Sequence, residues 1–393
     1  MKIVYILAGL IVFNCVMLPG ALRAEDVRLT LVEAVRMAVE KNLDLQIERY
    51  TPAQQEAEYR KSKGIYNPAL NLQAQYSDVS SYSASFEQNA AQLDAKLSQL
   101  LPSGGTISLG FENNFTDQAE STSYWQSALE LSLVQPLLKN FGRETTELLI
   151  TSARLAREAS LEALQTKVSS TVATVRDEYF KLYSLREELD VRKTSLDLAR
   201  RVLRDTQARV AVGTLPAMEI LNAEFGVASR EKELIDAERA LRDQQDLFAQ
   251  VLQLPPGTVI VGIDEPSRNR YDVSEQEEIK RAFSLRPELK ELRVNRELLE
   301  LQVRVATNRI RPDLQFSGSI ATSGLGDRYS RDIDRLSSGK YPVWGVGLSL
   351  TYPLGNHTAE NEYRKSRLKA DQIALQIRDR KSTRLNSSHV SQS

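Results

Sequence analysis

The sequence predicts a mainly helical chain that also carries short strands apolar on one face, with this plan laid out twice. Three observations predict it. Landmark residues recur at a fixed offset of 244 positions. Apolar residues recur every seven positions over two long stretches. Several short segments alternate apolar and polar side chains with period two. The chain has 393 residues, of which 41% are hydrophobic and 26% charged, and its formal net charge is −1. That balance excludes a nucleic-acid binder, which carries a basic stripe, and the apolar content excludes intrinsic disorder.

Residues 1–24 stand apart from the rest. Lys2 precedes an unbroken apolar run over residues 3–13, followed by Pro19, Gly20 and a small-residue site ending at Ala24. This is the n-, h- and c-region order of a secretory signal peptide, with cleavage near Ala24. The run is too short to cross ~30 Å of hydrocarbon. Cys15 is the one cysteine and sits in a poor lipobox, because Asn14 precedes it. It leaves with the signal, so the mature chain has no disulfide and no thiol chemistry. No later apolar run reaches the ~18 residues of a membrane helix. Membrane entry therefore has to use strands.

Thr30-Leu31-Val32-Glu33 has the pattern of a capping box, hydroxyl at the N-cap and carboxylate three residues on. Ser274-Glu275-Gln276-Glu277 repeats it 244 residues later. The same shift carries Ala38 onto Ala282, Leu45 onto Leu289, Pro68 onto Pro312 and Leu70 onto Leu314. The domain expectation is a first repeat at 25–254, with strands over 68–135 and a long helical hairpin over 143–254. A proline- and glycine-rich linker follows at 255–272, then a second repeat at 273–380.

Strands come next. Leu70, Leu72, Ala74 and Tyr76 alternate with polar neighbours, as do Leu93, Ala95 and Leu97, and Ile107, Leu109 and Phe111. Trp125, Ser127, Leu129, Leu131 and Leu133 face away from Ala128, Glu130 and Ser132. In the second repeat Leu314, Phe316, Gly318 and Ile320 share a face, as do Trp344, Val346, Leu348, Leu350 and Tyr352. Each segment is 7 to 10 residues long. Two architectures fit: a half-buried sheet in a soluble domain, or a transmembrane barrel with lipid- and lumen-facing sides alternating. In the barrel, Trp125, Leu129, Leu131, Leu133, Trp344, Val346, Leu348 and Leu350 face lipid. Tyr76, Trp125, Trp344 and Tyr352 would then supply interfacial girdles. Pro68 to Pro136 holds 27 residues more than Pro312 to Pro353. The excess reads as a hairpin at 91–115 turning at Pro102-Ser103-Gly104-Gly105, either part of the barrel or a flap outside it.

From Arg143 to Val212 there is no proline. Leu161, Val168, Val175, Leu182, Leu189, Leu196, Leu203 and Val210 form a heptad seam, the signature of a left-handed supercoil. A helix of that extent is on the order of 100 Å long. Beyond Gly213-Thr214-Leu215-Pro216 the seam resumes at Ile220, Val227, Leu234, Leu241 and Phe248, and Pro255-Pro256 ends it. The two helices form an antiparallel hairpin with a tight tip, with Pro216 in a first helical turn.

Catalytic equipment is sparse. The histidines are His357 and His389, and carboxylate pairs such as Glu187-Glu188 lie in regularly interleaved helical charge. No GxGxxG or P-loop occurs. The expectation is a non-enzyme with no cofactor, no metal site and no nucleic-acid partner.

In order and spacing, the chain over residues 29–380 resembles the TolC-like outer-membrane efflux proteins. Leu29-Thr30-Leu31-Val32-Glu33-Ala34 through Asn42-Leu43-Asp44-Leu45 resembles the family's opening helix. Asn67-Pro68-Ala69-Leu70 and Arg311-Pro312-Asp313-Leu314 resemble its strand starts, and Gln135-Pro136-Leu137-Leu138 and Tyr352-Pro353-Leu354 its strand ends. Arg209-Val210-Ala211-Val212-Gly213 followed by Glu219-Ile220-Leu221-Asn222-Ala223-Glu224 is similar to its hairpin tip, and Arg286-Pro287-Glu288-Leu289 to its second-repeat start. The resemblance implies a homotrimer in the cell outer membrane. Its strands build one shared β-barrel, usually of twelve strands, and its helices a periplasmic α-barrel of coiled-coil pairs. Such a trimer is the passive exit duct of a tripartite efflux or type I secretion system, fed by an inner-membrane pump through a periplasmic adaptor. The adaptor would meet the tip at Arg209, Val212, Gly213, Thr214 and Leu215. The competing expectation is an exported coiled-coil scaffold or cell-surface structural protein without transport.

The sequence departs from the family pattern at the extra hairpin and at its end. From Pro136 to Leu252 there are 116 residues, but only 40 follow Pro353. The second hairpin is thus expected to be truncated, with residues 381–393, polar and serine-rich, a non-native or disordered tail.

Overall fold

The computed structural model describes residues 27–81, 86–118, 122–267 and 274–390. The expected signal peptide lies outside the described residues. In chain order the elements are β1 (Val27–Leu29), α1 (Leu31–Lys41), α2 (Leu43–Ser62), a 3-10 turn (Lys63–Tyr66), β2 (Ala69–Ser81), β3 (Phe86–Leu100), β4 (Thr106–Gln118) and β5 (Tyr124–Pro136). Then follow α3 (Arg143–Thr146), α4 (Leu148–Ala211), α5 (Met218–Leu252) and β6 (Ile260–Gly262). The last group is α6 (Glu275–Leu285), α7 (Pro287–Arg309), β7 (Asp313–Ser323), α8 (Tyr329–Ser337), β8 (Pro342–Thr351) and α9 (His357–Val390). The offset of 244 carries the bounds of α1 onto those of α6, and the first residues of α2 and β2 onto those of α7 and β7.

The described residues divide into two compact units, 27–46 with 169–267, and 47–168 with 274–390. In the first unit the capping box at Thr30 forms as expected. Thr30 Oγ1 accepts from the Glu33 amide at 3.2 Å, and a Glu33 carboxylate oxygen accepts from the Thr30 amide at 2.8 Å. The Thr30 amide, and the Thr30 hydroxyl donating to the same carboxylate oxygen at 2.9 Å, hold the Glu33 carboxyl below the usual carboxylate range. Asn42 ends α1 by donating its amide to Ala38 O at 2.9 Å, and its side chain accepts from the Leu45 amide at 3.1 Å to begin the next helix. β1 and β6 pair in parallel, Val27 opposite Ile260. The segment expected to be linker therefore contains a strand, too short for any period to show.

Beneath this pair lies the unit's core: Leu29, Ala34, Ala38, Val175, Tyr179, Leu182, Phe248, Ala249, Leu252 and Ile260. Tyr179 is fully buried; its hydroxyl donates to Leu29 O at 3.0 Å and accepts from the Asp264 amide at 2.9 Å. Burial pushes that hydroxyl's pKa up. The seam residues Val175, Leu182 and Leu196 of α4 and Phe248 of α5 are buried, and the seam residues between them half-buried. The two helices run antiparallel, joined by Arg192–Glu233 and Arg200–Glu231 ion pairs at 2.8 Å.

The second unit holds an antiparallel sheet of order β2-β3-β4-β5-β7-β8. Its strands are 10 to 15 residues long, longer than the alternation alone suggested, because polar residues at both ends keep pairing. The 91–115 hairpin is built into the sheet as β3 and β4, between β2 and β5, and is not a flap. α9 packs on α7, burying Leu289, Leu301, Val305 and Ala306 against Ser366, Ile373 and Ile377.

Several expectations change. Ser274 is the N-cap of α6 but its side chain accepts no capping bond, so the second capping box is a position without the interaction. Pro216 precedes α5, whose N-cap is Ala217, and does not sit in its first turn. α9 continues to Val390, past the expected break at 381. Polar residues without glycine or proline extend an existing helix at little cost, since nucleation is already complete. Residues 391–393 lie outside the described residues. The face of α9 that packs carries Ser366, Ile373 and Ile377, while Leu368 and Leu375 are exposed. α8 was not anticipated; its nine residues sit within one strand connection.

Candidate functional site

The sheet brings the apolar side chains of all six strands into line. Successive cross-strand partners are Leu70, Leu97, Leu109, Leu131, Ile320 and Trp344, one row crossing the sheet from edge to edge. The next row on the same face, two residues along, is Leu72, Ala95, Phe111, Leu129, Thr322 and Pro342. Beyond the first row in the opposite direction, still on the same face, Leu133 pairs with Gly318, which pairs with Val346; Phe316 pairs with Leu348 and Leu314 with Leu350. Partners across a ladder point to the same face. These side chains stay open: Leu131 is 45% exposed, Trp344 72% and Leu348 70%. The intervening row is small and polar, Ala69, Ser98, Ser108, Ser132, Ser319 and Gly345. A sheet apolar on one face and hydroxyl-lined on the other suits hydrocarbon against water.

The residues expected to face lipid thus share one face. Trp125 is a partial exception, since its ring lies 4.8 Å from Phe115 and 5.3 Å, edge-on, from Tyr329 of α8. The expected girdle aromatics divide. Tyr76, Ala91, Phe115 and Trp125 form one row, whereas Trp344 belongs to the row of Leu131.

Beside Trp125 the apolar face gives way to a buried polar chain that sequence reasoning missed. Asn113 Nδ2 donates to Ser127 Oγ at 2.6 Å, and that hydroxyl donates to Asp332 of α8. The Ser127 amide also donates to Asp332 at 3.1 Å. Gly324 and Gly326 give α8 room: a Cβ on Gly326 would lie 2.7 Å from the Asp332 nitrogen. Ser127 read as one polar residue on an apolar face; its partner lies 205 positions away, beyond any local signal.

The β3–β4 turn is fastened to the end of β5. Ser103 Oγ bonds Gln135 Oε1 at 2.6 Å, and Gln135 Nε2 donates back to Ser103 O at 3.2 Å. Gly104 has φ 89°, which favours glycine. The strand end of the first repeat lies beside the strand start of the second, with the Leu137 amide donating to Leu314 O at 2.8 Å and Asn140 N to Asn308 Oδ1 at 2.7 Å.

The tip is a Schellman cap. Gly213, at φ 78°, donates to Val210 O at 2.9 Å, and Thr214 donates its amide to Arg209 O at 2.9 Å. Thr214 Oγ1 bonds the same carbonyl at 2.8 Å. Arg209, Val212, Gly213 and Thr214 are exposed and Leu215 half-buried. The five tip residues come together as one corner.

No helix among the described residues is long and apolar enough to cross a membrane. No metal-binding cluster of His, Cys, Asp or Glu occurs among them. A mostly helical chain with one antiparallel sheet, apolar on one face, matches the fold of outer-membrane channels. The family described as outer membrane efflux protein matches residues 34–252, and this chain belongs to it. The pyoverdine export outer membrane protein OpmQ of Pseudomonas aeruginosa is 24% identical over 183 residues, 47% of this chain and 37% of that protein. The match thus spans well under half the length of that curated relative. Among solved structures, the outer-membrane channel OprN aligns with a TM-score of 0.62 at 15% identity, covering 89% of this chain and 70% of that one. The outer membrane protein VceC of Vibrio cholerae aligns with a TM-score of 0.59 at 15% identity, covering 91% of this chain and 76% of that one. At such identities the likeness is one of fold: helices with an antiparallel sheet. The sheet of the single chain is open, with β2 and β8 at its edges.

Proposed function

We propose that this protein is the outer-membrane exit duct of a tripartite efflux or type I secretion system. It works as a homotrimer, with strands in the lipid of the outer membrane and helices in the periplasm. The duct is a passive conduit: energy comes from an inner-membrane pump, and a periplasmic adaptor meets the tip at Arg209, Val212, Gly213, Thr214 and Leu215. The observation that carries this reading is the unbroken apolar row from Leu70 to Trp344 beside a row of serines. Family membership supports it. The name of OpmQ favours a small-molecule cargo over a polypeptide. The two-repeat plan belongs to the same proposal, each repeat supplying strands and helices to one wall.

Leu131 and Ser132 are neighbours on opposite faces. Leu131→Arg should cost about 2–4 kcal/mol if the side chain sits near mid-bilayer, and should deplete the protein from outer-membrane fractions. Ser132→Arg, aimed at water, should leave its level unchanged. Equal depletion by both would remove the barrel, and an undiminished Leu131→Arg would favour an exported scaffold.

A further inference from the structure

The family resemblance implies four strands per subunit in a twelve-stranded barrel. Among its described residues this chain has six in one sheet. β3 and β4 are laddered on both sides, to β2 and to β5. Their turn is tied to Gln135, and they supply Leu97 and Leu109 to the apolar row. They have the placement of wall strands.

Every neighbouring pair in the sheet is antiparallel. After five such pairings β8 runs opposite to β2. Both are edges, and each has a ladder on one side only among the described residues. In hydrocarbon an unpaired strand edge leaves its amides and carbonyls without partners, which the bilayer does not tolerate. The occupant whose strand direction and apolar row both match the β8 edge is the β2 edge of a second copy. An even strand number lets identical copies repeat this joint in one direction until the ring closes. β5 and β7 already pair within the chain, so among the described residues β2 and β8 are the only open edges of this sheet.

We infer that three copies join β8 to β2 into a closed barrel of eighteen strands, with the β3–β4 hairpin in its wall. This rests on the channel reading given above and adds a strand count and a joint to it. With strands ~4.8 Å apart and tilted ~40°, eighteen strands give a backbone diameter of about 36 Å, against about 24 Å for twelve. The outer mouth is correspondingly wider, while each copy still contributes its tip residues once.

Two measurements test it on the full chain extracted from outer membranes. Electron cryomicroscopy along the pore axis should count eighteen strands. Twelve strands, four from each of three copies, overturns this inference and leaves the channel reading standing; six from each of two copies overturns this inference and the homotrimer with it. Particles with no barrel, or a chain absent from the membrane, overturn the channel reading and this inference with it. Second, Gln73→Cys on β2 is combined in turn with Gly345→Cys, Gly347→Cys and Ser349→Cys on β8. One of these pairs should give a covalent ladder of two and three chains under oxidation. Channels that insert normally and crosslink with none of the three pairs would show that β8 does not meet β2.

Discussion

At the scale of single residues, Tyr179 does more than the seam around it suggests. Its hydroxyl ties the carbonyl of Leu29 to the amide of Asp264 inside a sealed core. Removing a buried partner leaves those groups unsatisfied, at about 1–3 kcal/mol, so Tyr179→Phe should lower the urea midpoint followed by helical circular dichroism. The pH dependence has a definite sign. Burial raises the folded-state pKa of the hydroxyl, so its contribution is fully present below the unfolded value of about 10. It is lost as pH rises through the folded value. Tyr179→Phe should flatten that alkaline loss; an unchanged alkaline profile would show that other groups govern it. Little of this was legible. Val175 and Leu182 announced a packed face, but the bonds of Tyr179 reach residues 150 and 85 positions away. Ser127 was hidden by the same kind of distance, and Thr30 was visible because both partners of its bond lie within four residues.

At the scale of elements, the local patterns carried most of the structure. The heptad positions turned inward from Val168 onward, and the strand faces followed the alternation row for row. What failed was short or conditional: β6 has three residues, and α8 is held by Asp332 beneath a pair of glycines. The tip lay between the two. Glycine before threonine predicted the corner, and the structure adds the two Schellman bonds and the threonine hydroxyl. These bonds leave Val212 75% exposed, an apolar side chain with nothing to cover it in its own unit. Thr214→Cys, with a thiol-reactive crosslinker in exporting cells, should therefore capture a periplasmic adaptor. Capture of outer-membrane proteins alone would invert the proposed orientation.

At the scale of the whole molecule, the 244-residue offset let the sequence show two related halves. It could not show that six strands share one sheet, because pairing between β5 and β7 is a relation between halves and leaves no periodic trace. The assembled protein should run as a heat-modifiable band and sediment in detergent at three times the mass of its mature chain; a monodisperse single-chain species would remove the homotrimer. The β5–β7 ladder also bears on how the sheet is made. β2 through β5 form a meander of neighbouring strands that can zip in order, and β7 with β8 can do the same around α8. Only the ladder between residues 128–136 and 315–323 must wait for chain ends separated by the whole helical hairpin, and such non-local pairing is slow. The sheet is therefore expected to anneal last along that seam. Asp332, which accepts from Ser127 of the other half, can make that bond only after the halves have met, so its loss is expected to be felt as slow or faulty biogenesis more than as a leaking pore.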